Sequence, residues 1–228
     1  MKDILDILKR GFDFIFVIVF ILFFSPLMLI IAIAVKLDSK GPIIFKQLRL
    51  GKDGKEYYIF KFRSMIVDAE KKGTGLFNYA NDPRVTRLGK FIRSTSLDEL
   101  PQLFNVLKGE MSFVGPRPPV YYELGNYKDF DGNLKKRFSV KPGVTGYAQI
   151  NGRNEISWDE KIIFDNKYIE DFYKWGILLD FKIIIITAVK VFKNEGAYEL
   201  KENSEKDMIN RNTGEGTIWI LTMNFLKS

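Results

Sequence analysis

The segment RSTSLDELPQLFNVLKGEMSFVGPRP, Arg93 to Pro118, holds the densest group of side chains able to do chemistry. Asp98 and Glu99 are adjacent acids in the first turn of a helix that the spacing predicts from about Ser96 to Leu107, ending near Lys108-Gly109. Ser96 and Glu99 have capping-box spacing, and acids at helix starts suit the macrodipole, so an ordinary cap is one reading. The same physics serves chemistry: a helix start lowers a carboxylate's pKa, keeps it ionised and gathers N–H groups suited to phosphate. An ionised Asp can attack phosphorus. Lys61, Arg63, Arg84, Arg87, Arg93, Arg117, Arg137, Lys141 and Arg153 lie in segments with turn chemistry. Arg forks match phosphate oxygens, although a solvated basic face is the plainer role for most of these. A diphosphate held by Arg and Mg²⁺ beside an Asp would permit phosphoryl transfer by positioning and charge neutralisation.

Composition narrows the chemistry. The 228 residues include no Cys and no His. That removes thiolate nucleophiles, Ser-His-Asp triads and the usual zinc sites, leaving carboxylates, Lys, Arg, hydroxyls or a hard metal ion. Absence of Cys also fits a reducing compartment. The net charge of +7 calls for an anionic partner: lipid headgroups, nucleic acid or a phosphorylated small molecule. The basic residues sit in turns and beside an apolar segment instead of forming a helical stripe, so no nucleic acid partner is expected.

That apolar segment runs from Phe14 to Val35, interrupted only by Ser25 and Pro26. A bilayer core takes roughly 20 such residues as a helix. No small-x-small cleavage site follows, so it reads as an anchor and not a cleaved leader. Pro26 cannot donate to the carbonyl of Leu22, and the Ser25 hydroxyl can bond back one turn, so the pair predicts a break in the membrane helix. A modest kink in a spanning helix and a re-entrant helix turning back at mid-bilayer are both open. Lys2, Lys9 and Arg10 precede the run, and Lys36, Lys40, Lys46 and Arg49 follow it, giving both ends a claim on the cytoplasm and favouring re-entry.

After this anchor, residues 1–40, the chain suits one compact catalytic domain, 41–198, and a tail, 199–228. GPIIFKQLRLGKDGKEYYIFKFRSM reads as a β-hairpin turning at Gly51 to Gly54. DAEKKGTGLFNYANDPRVTRLGK is loop with short helical pieces, SFVGPRPP an extended turn, and VKPGVTGYAQINGRN a Gly-punctuated loop. Ser157 to Tyr173 returns to helical spacing. FYKWGILLDFKIIIITAVKVFKN reads as an amphipathic interfacial helix, with a core helix as the alternative. The fold class is α+β: a mostly helical monotopic membrane protein with an N-terminal re-entrant helix, interfacial helices and a small hairpin.

KFRSM at Lys61 to Met65, the Arg93 to Pro118 segment, KPGVTGYAQINGRN and ISW at Ile156 to Trp158 follow a membrane helix with a central Ser-Pro pair. In that order they resemble the bacterial sugar transferase family, the small monotopic phosphoglycosyl transferases, over roughly Lys9 to Gly196. The resemblance implies an enzyme at the cytoplasmic face of the bacterial inner membrane. Such an enzyme moves a sugar-1-phosphate from a UDP-sugar to polyprenyl phosphate, releases UMP and starts glycoconjugate assembly for downstream glycosyltransferases. It also implies Asp98 as the nucleophile that forms a phosphosugar-aspartyl intermediate and as the Mg²⁺ contact, with Glu99 orienting the site. Arg117 is then associated with the nucleotide, and Lys61, Arg63 and Arg93 with phosphate. Ser25 and Pro26 mark the re-entrant break. A non-catalytic membrane-anchored basic binding module is the competing class.

Overall fold

The computed structural model describes residues 2–69, 82–153 and 155–193. Helix α1 runs Lys2–Asp38 with Pro26 inside it. The Ser25 hydroxyl donates to the Leu22 carbonyl at 2.9 Å, the acceptor that Pro26 has no N–H to serve. The pair therefore keeps the helix continuous while leaving one ladder bond to a side chain.

Little of α1 is buried. At its midpoint Leu22 and Phe23 are 70% and 76% exposed, yet both ends of the helix pack on the same folded body. Near the N-terminus, Lys9 pairs with Asp180 at 2.5 Å, Arg10 donates to the carbonyls of Val106 and Leu107, and Asp13 accepts from the Ser112 hydroxyl and the Phe113 N–H. Near the C-terminus, Ile31 and Val35 form a buried cluster with Phe62 and Ile92.

Strands β1 (Ile44–Leu50) and β2 (Glu56–Phe62) form the expected antiparallel hairpin, in register from Ile44 opposite Phe62 to Leu50 opposite Glu56. Helix α2 (Arg87–Ser94) lies partly in the stretch read as loop; residues 70–81 of that stretch fall outside the described residues. Its N-cap Thr86 accepts from the Gly89 N–H.

The single helix expected from Ser96 to Leu107 is divided. A 3₁₀ turn spans Leu97–Glu99, and α3 begins only at Gln102, because Pro101 has no N–H with which to continue the ladder. Helix α3 (Gln102–Lys108) closes where expected, at Gly109, whose φ of 81° is the left-handed C-terminal cap conformation.

Strand β3 (Ser112–Val114), α4 (Gly132–Arg137), β4 (Gly143–Thr145) and α5 (Tyr147–Ile150) follow. The extended turn and the Gly-rich loop of the sequence reading thus supply β3 and β4, paired in parallel. Helix α6 (Trp158–Trp175) opens with a true capping box, Ser157 with Glu160, and Gly176 separates it from α7 (Ile177–Phe192). Helix α7 packs one face into the core, as the core-helix reading has it, and leaves apolar residues exposed on the other. Leu179 and Ile183 enter the main core, while Leu178 and Ile185 stay 75% and 64% exposed. Asp180, which looked like an interruption, is buried against Lys9 and the Tyr168 hydroxyl. The architecture is α+β and mostly helical, with one long apolar helix laid along a small domain, as a monotopic membrane protein requires. The tail 199–228 lies outside the described residues.

Candidate active site

The hairpin and α3 set the site. Along β2, Tyr57 and Ile59 point into the core, and Lys61 continues that face by the two-residue period of a strand. Buried Asn105 of α3 accepts from the Phe60 N–H at 3.0 Å and donates to the Tyr58 carbonyl at 2.7 Å, pinning α3 to β2. The 3₁₀ turn just before α3 is thereby held over Lys61. Lys61 Nζ lies 2.9 Å from Glu99 Oε1, and Arg117 Nη2 reaches the same oxygen at 3.5 Å.

Each cation arrives from a different segment. Arg117 is steadied through its carbonyl, which accepts from Arg137 Nη2 at 2.7 Å, while Arg137 is itself held by buried Asp165. Arg93, at the end of α2, donates to the Ser64 hydroxyl at 3.4 Å. Arg153 donates to the Ser96 hydroxyl at 2.9 Å. Both members of that last pair have left-handed backbones, with φ of 58° at Ser96 and 53° at Arg153. Such conformations cost about 1–3 kcal/mol each and cluster at functional sites.

The expected Ser96–Glu99 capping box is absent. Ser96 is left-handed and makes no cap bond, and the Glu99 carboxylate goes to Lys61 instead. The expected lowering of the Asp98 pKa by a helix start is also corrected. Asp98 is only 7% exposed, on a single 3₁₀ turn. Burial pushes its pKa up; Lys61 opposes this, Glu99 adds to it, and Arg93 and Arg153 pull it down. Burial also acts on Glu99, but there Lys61, Arg117 and Arg153 outweigh it and hold the carboxyl well below the ordinary range. Two adjacent acids are thus pushed in opposite directions, the pattern that separates their roles. Asp98 receives no hydrogen bond among the described residues, and its lone pairs face the cations only through space.

Of the residues expected from sequence, Asp98, Glu99, Lys61, Arg93 and Arg117 come together. Arg63 does not join them. Its donors go to the Pro42, Lys40, Val35 and Ser39 carbonyls and the Ser39 hydroxyl, so the guanidinium closes the C-terminal end of α1. Arg84 is likewise committed to Asp82, and Arg137 to Asp165. Arg153 belongs to the site although the motif reading gave it no role there. The sequence showed it only as one of the turn-segment cations suited to phosphate, within the Gly-punctuated KPGVTGYAQINGRN segment.

Mg²⁺ suits one or two carboxylates completed by substrate phosphates. Among the described residues no group of three or more potential ligands gathers, and Asp98 is the one acid of the pair not tied to a cation by a hydrogen bond. A phosphate-completed site on Asp98 fits this donor set.

The fold and the site define a monotopic α+β chain that holds a buried Asp98 and a partly buried Glu99 inside a cluster of Lys and Arg. The chain belongs to the bacterial sugar transferase family, whose model matches residues 4–194. It is 46% identical over 198 residues to the UDP-glucose:undecaprenyl-phosphate glucose-1-phosphate transferase of Escherichia coli K12, covering 84% of this chain and 42% of that protein. It is 41% identical over 205 residues to the undecaprenyl-phosphate galactose phosphotransferase of Salmonella typhimurium LT2, with 84% of this chain and 42% of that protein covered. An uncharacterized sugar transferase of Bacillus subtilis 168 is 40% identical over 212 residues, 93% of this chain and 98% of its own. The chain thus spans about two-fifths of the length of the first two relatives.

Proposed function

We propose that the protein is a membrane-attached phosphoglycosyl transferase. It moves a sugar-1-phosphate from a UDP-sugar to polyprenyl phosphate and releases UMP. The observation that carries this reading is Asp98 itself: buried, without a hydrogen bond among the described residues, and set among Lys61, Arg93 and Arg153 while Glu99 neutralises its own cations. The names of the relatives supply the substrate class: a UDP-sugar donor and an undecaprenyl phosphate acceptor.

In the first step an Asp98 carboxylate oxygen attacks the sugar-bearing phosphorus of the donor. A bond forms between that oxygen and phosphorus, and the phosphoanhydride bond breaks, its electron pair leaving with UMP. In the second, a phosphate oxygen of the lipid attacks the same phosphorus, and the aspartyl oxygen–phosphorus bond breaks to return the Asp98 carboxylate and give the sugar diphospholipid. Arg93 and Arg153 hold charge near the transferring group, as phosphoryl transfer by positioning requires. Lys61 and Arg117 keep Glu99 ionised, and Arg117 stands where it can hold the nucleotide phosphate. Burial of Asp98 strips water from the nucleophile. Mg²⁺, held by Asp98 and the diphosphate, would add neutralisation of phosphate charge.

Attachment is through α1 from the cytoplasmic face of the inner membrane. A helix whose two ends pack on one small body, with Leu22 and Phe23 exposed between them, suits entry and exit by the same face. The test is Asp98→Asn, an isosteric change. It should abolish UMP release from a UDP-sugar with polyprenyl phosphate, by at least ~10³-fold, while sparing membrane attachment. Normal turnover by the variant would remove Asp98 from this role. Salt-sensitive lipid binding by the native chain with no nucleotide turnover would leave only a binding module.

A further inference from the structure

The cations around Asp98 leave out Arg10, Lys52 and Lys141, which meet elsewhere. They line a cavity of about 80 Å³, together with Lys9, Asp13 and Tyr168, between the N-terminal part of α1, the C-terminal half of α6, β3 and the hairpin turn. This place lies beyond the opposite end of α3 from Asp98, where Arg10 holds the last α3 carbonyls.

The carboxylates nearby are already engaged. Asp13 accepts from Ser112 and the Phe113 N–H, Asp180 accepts from Lys9 and the Tyr168 hydroxyl, and Asp6, at the exposed rim, accepts from the Tyr173 hydroxyl. The side-chain amines of Lys52 and Lys141 make no hydrogen bond or ion pair among the described residues. Burial pulls the Lys141 amine's pKa down; Arg10 adds to this, Asp13 opposes it and Lys52 adds again. The cavity lining carries four cations, Lys9, Arg10, Lys52 and Lys141, against two carboxylates, Asp6 and Asp13, and an anion among them relieves the remaining repulsion.

Depth is set by α1. Asp6, Lys9, Arg10 and Asp13 fall on one helical face toward the cavity, whereas Ile4, Ile7 and Leu8 are exposed on the other, and the apolar run begins at Phe14. With the apolar run of α1 entering the bilayer from Phe14, on which this step rests, the cavity sits at the level of headgroup phosphates. Its volume is several times the roughly 10–15 Å³ that admits one water, leaving room for a phosphoryl group.

We propose that this cavity is a second anion site, separate from the Asp98 site, in which Arg10, Lys52 and Lys141 take a phosphoryl group supplied by an anionic lipid headgroup or by free phosphate. Arg10 is oriented for it by α3, and the two lysines supply the uncommitted charge. It is distinct from donor and acceptor binding at Asp98 and stands whether or not that reading holds.

The experiment uses the full chain in nonionic detergent, titrated with short-chain phosphatidylglycerol and, separately, inorganic phosphate, and read by phosphorus NMR line width and thermal midpoint. Native protein and Asp98→Asn should bind saturably and alike. Lys52→Gln with Lys141→Gln should weaken binding at least tenfold, and Lys141→Arg should retain it. A response to both probes assigns a free phosphoryl anion; a response to phosphatidylglycerol alone assigns the headgroup. Absence of saturable binding by the native chain overturns the site, as does an unchanged isotherm in the lysine variant. Loss of binding in Asp98→Asn overturns its separateness. Should the double variant fail to fold, Lys52→Gln alone, on the hairpin turn, carries the same comparison.

Discussion

Lys61 Nζ lies 2.9 Å from Glu99 Oε1, so the cation that sequence motifs place among the phosphate ligands is hydrogen-bonded to the acid beside Asp98. One lysine thereby holds Glu99 ionised and lowers the pKa of Asp98 through space. Much of the site's behaviour follows from that pair.

Replacing Lys61 with Met should shift the pH dependence of turnover. Removing a nearby cation raises the pKa of both acids, so each is protonated at higher pH than before. A nucleophilic carboxylate must be ionised, so the acid limb of the kcat/KM profile should move to higher pH and activity at neutral pH should fall. An acid limb that stays put would show that Lys61 does not tune the pair.

Arg63 separates two roles cleanly. Its bonds to the carbonyls that follow α1 predict that Arg63→Met lowers stability by about 2 kcal/mol or more, because charge-assisted bonds to helix-end carbonyls are lost. The KM for the UDP-sugar should change little. Thermal unfolding and donor kinetics on one preparation check this; a raised KM at unchanged stability would return Arg63 to the phosphate site.

Gly89 is required by close approach. A Cβ there would lie 1.9 Å from the Ser64 carbonyl oxygen, a backbone atom that cannot swing away. Gly89→Ala should push α2 off the strand end, cost about 1–3 kcal/mol and move Arg93 from Ser64. The expected result is a lower thermal midpoint together with a weaker donor interaction. An unperturbed midpoint would contradict the packing described.

Topology can be read with single cysteines, since the chain has none of its own. Lys2→Cys and Lys40→Cys should both react with an impermeant maleimide from the cytoplasmic side only. Labelling from opposite sides would make α1 a span and overturn re-entry. Pro26→Ala should straighten the helix and shift some molecules toward that labelling pattern.

The sequence alone determined whatever depends on neighbours along the chain. The apolar run with Ser25 and Pro26, the hairpin about Gly51 to Gly54, the C-terminal stop at Gly109 and the adjacency of Asp98 and Glu99 were all legible, because periodicity, turn chemistry and capping act within a few residues. Tertiary structure decided what depends on partners brought from far away. It gave Glu99 to Lys61 instead of to a capping box, sent Arg63 to the end of α1, and brought Arg153 to Ser96. It also paired two loop-like segments as β3 and β4. A residue type states which bonds a side chain can make, but burial and the three-dimensional arrangement of competing charges choose among them. For that reason the sign of the Asp98 shift followed from the fold and not from its place at a helix start.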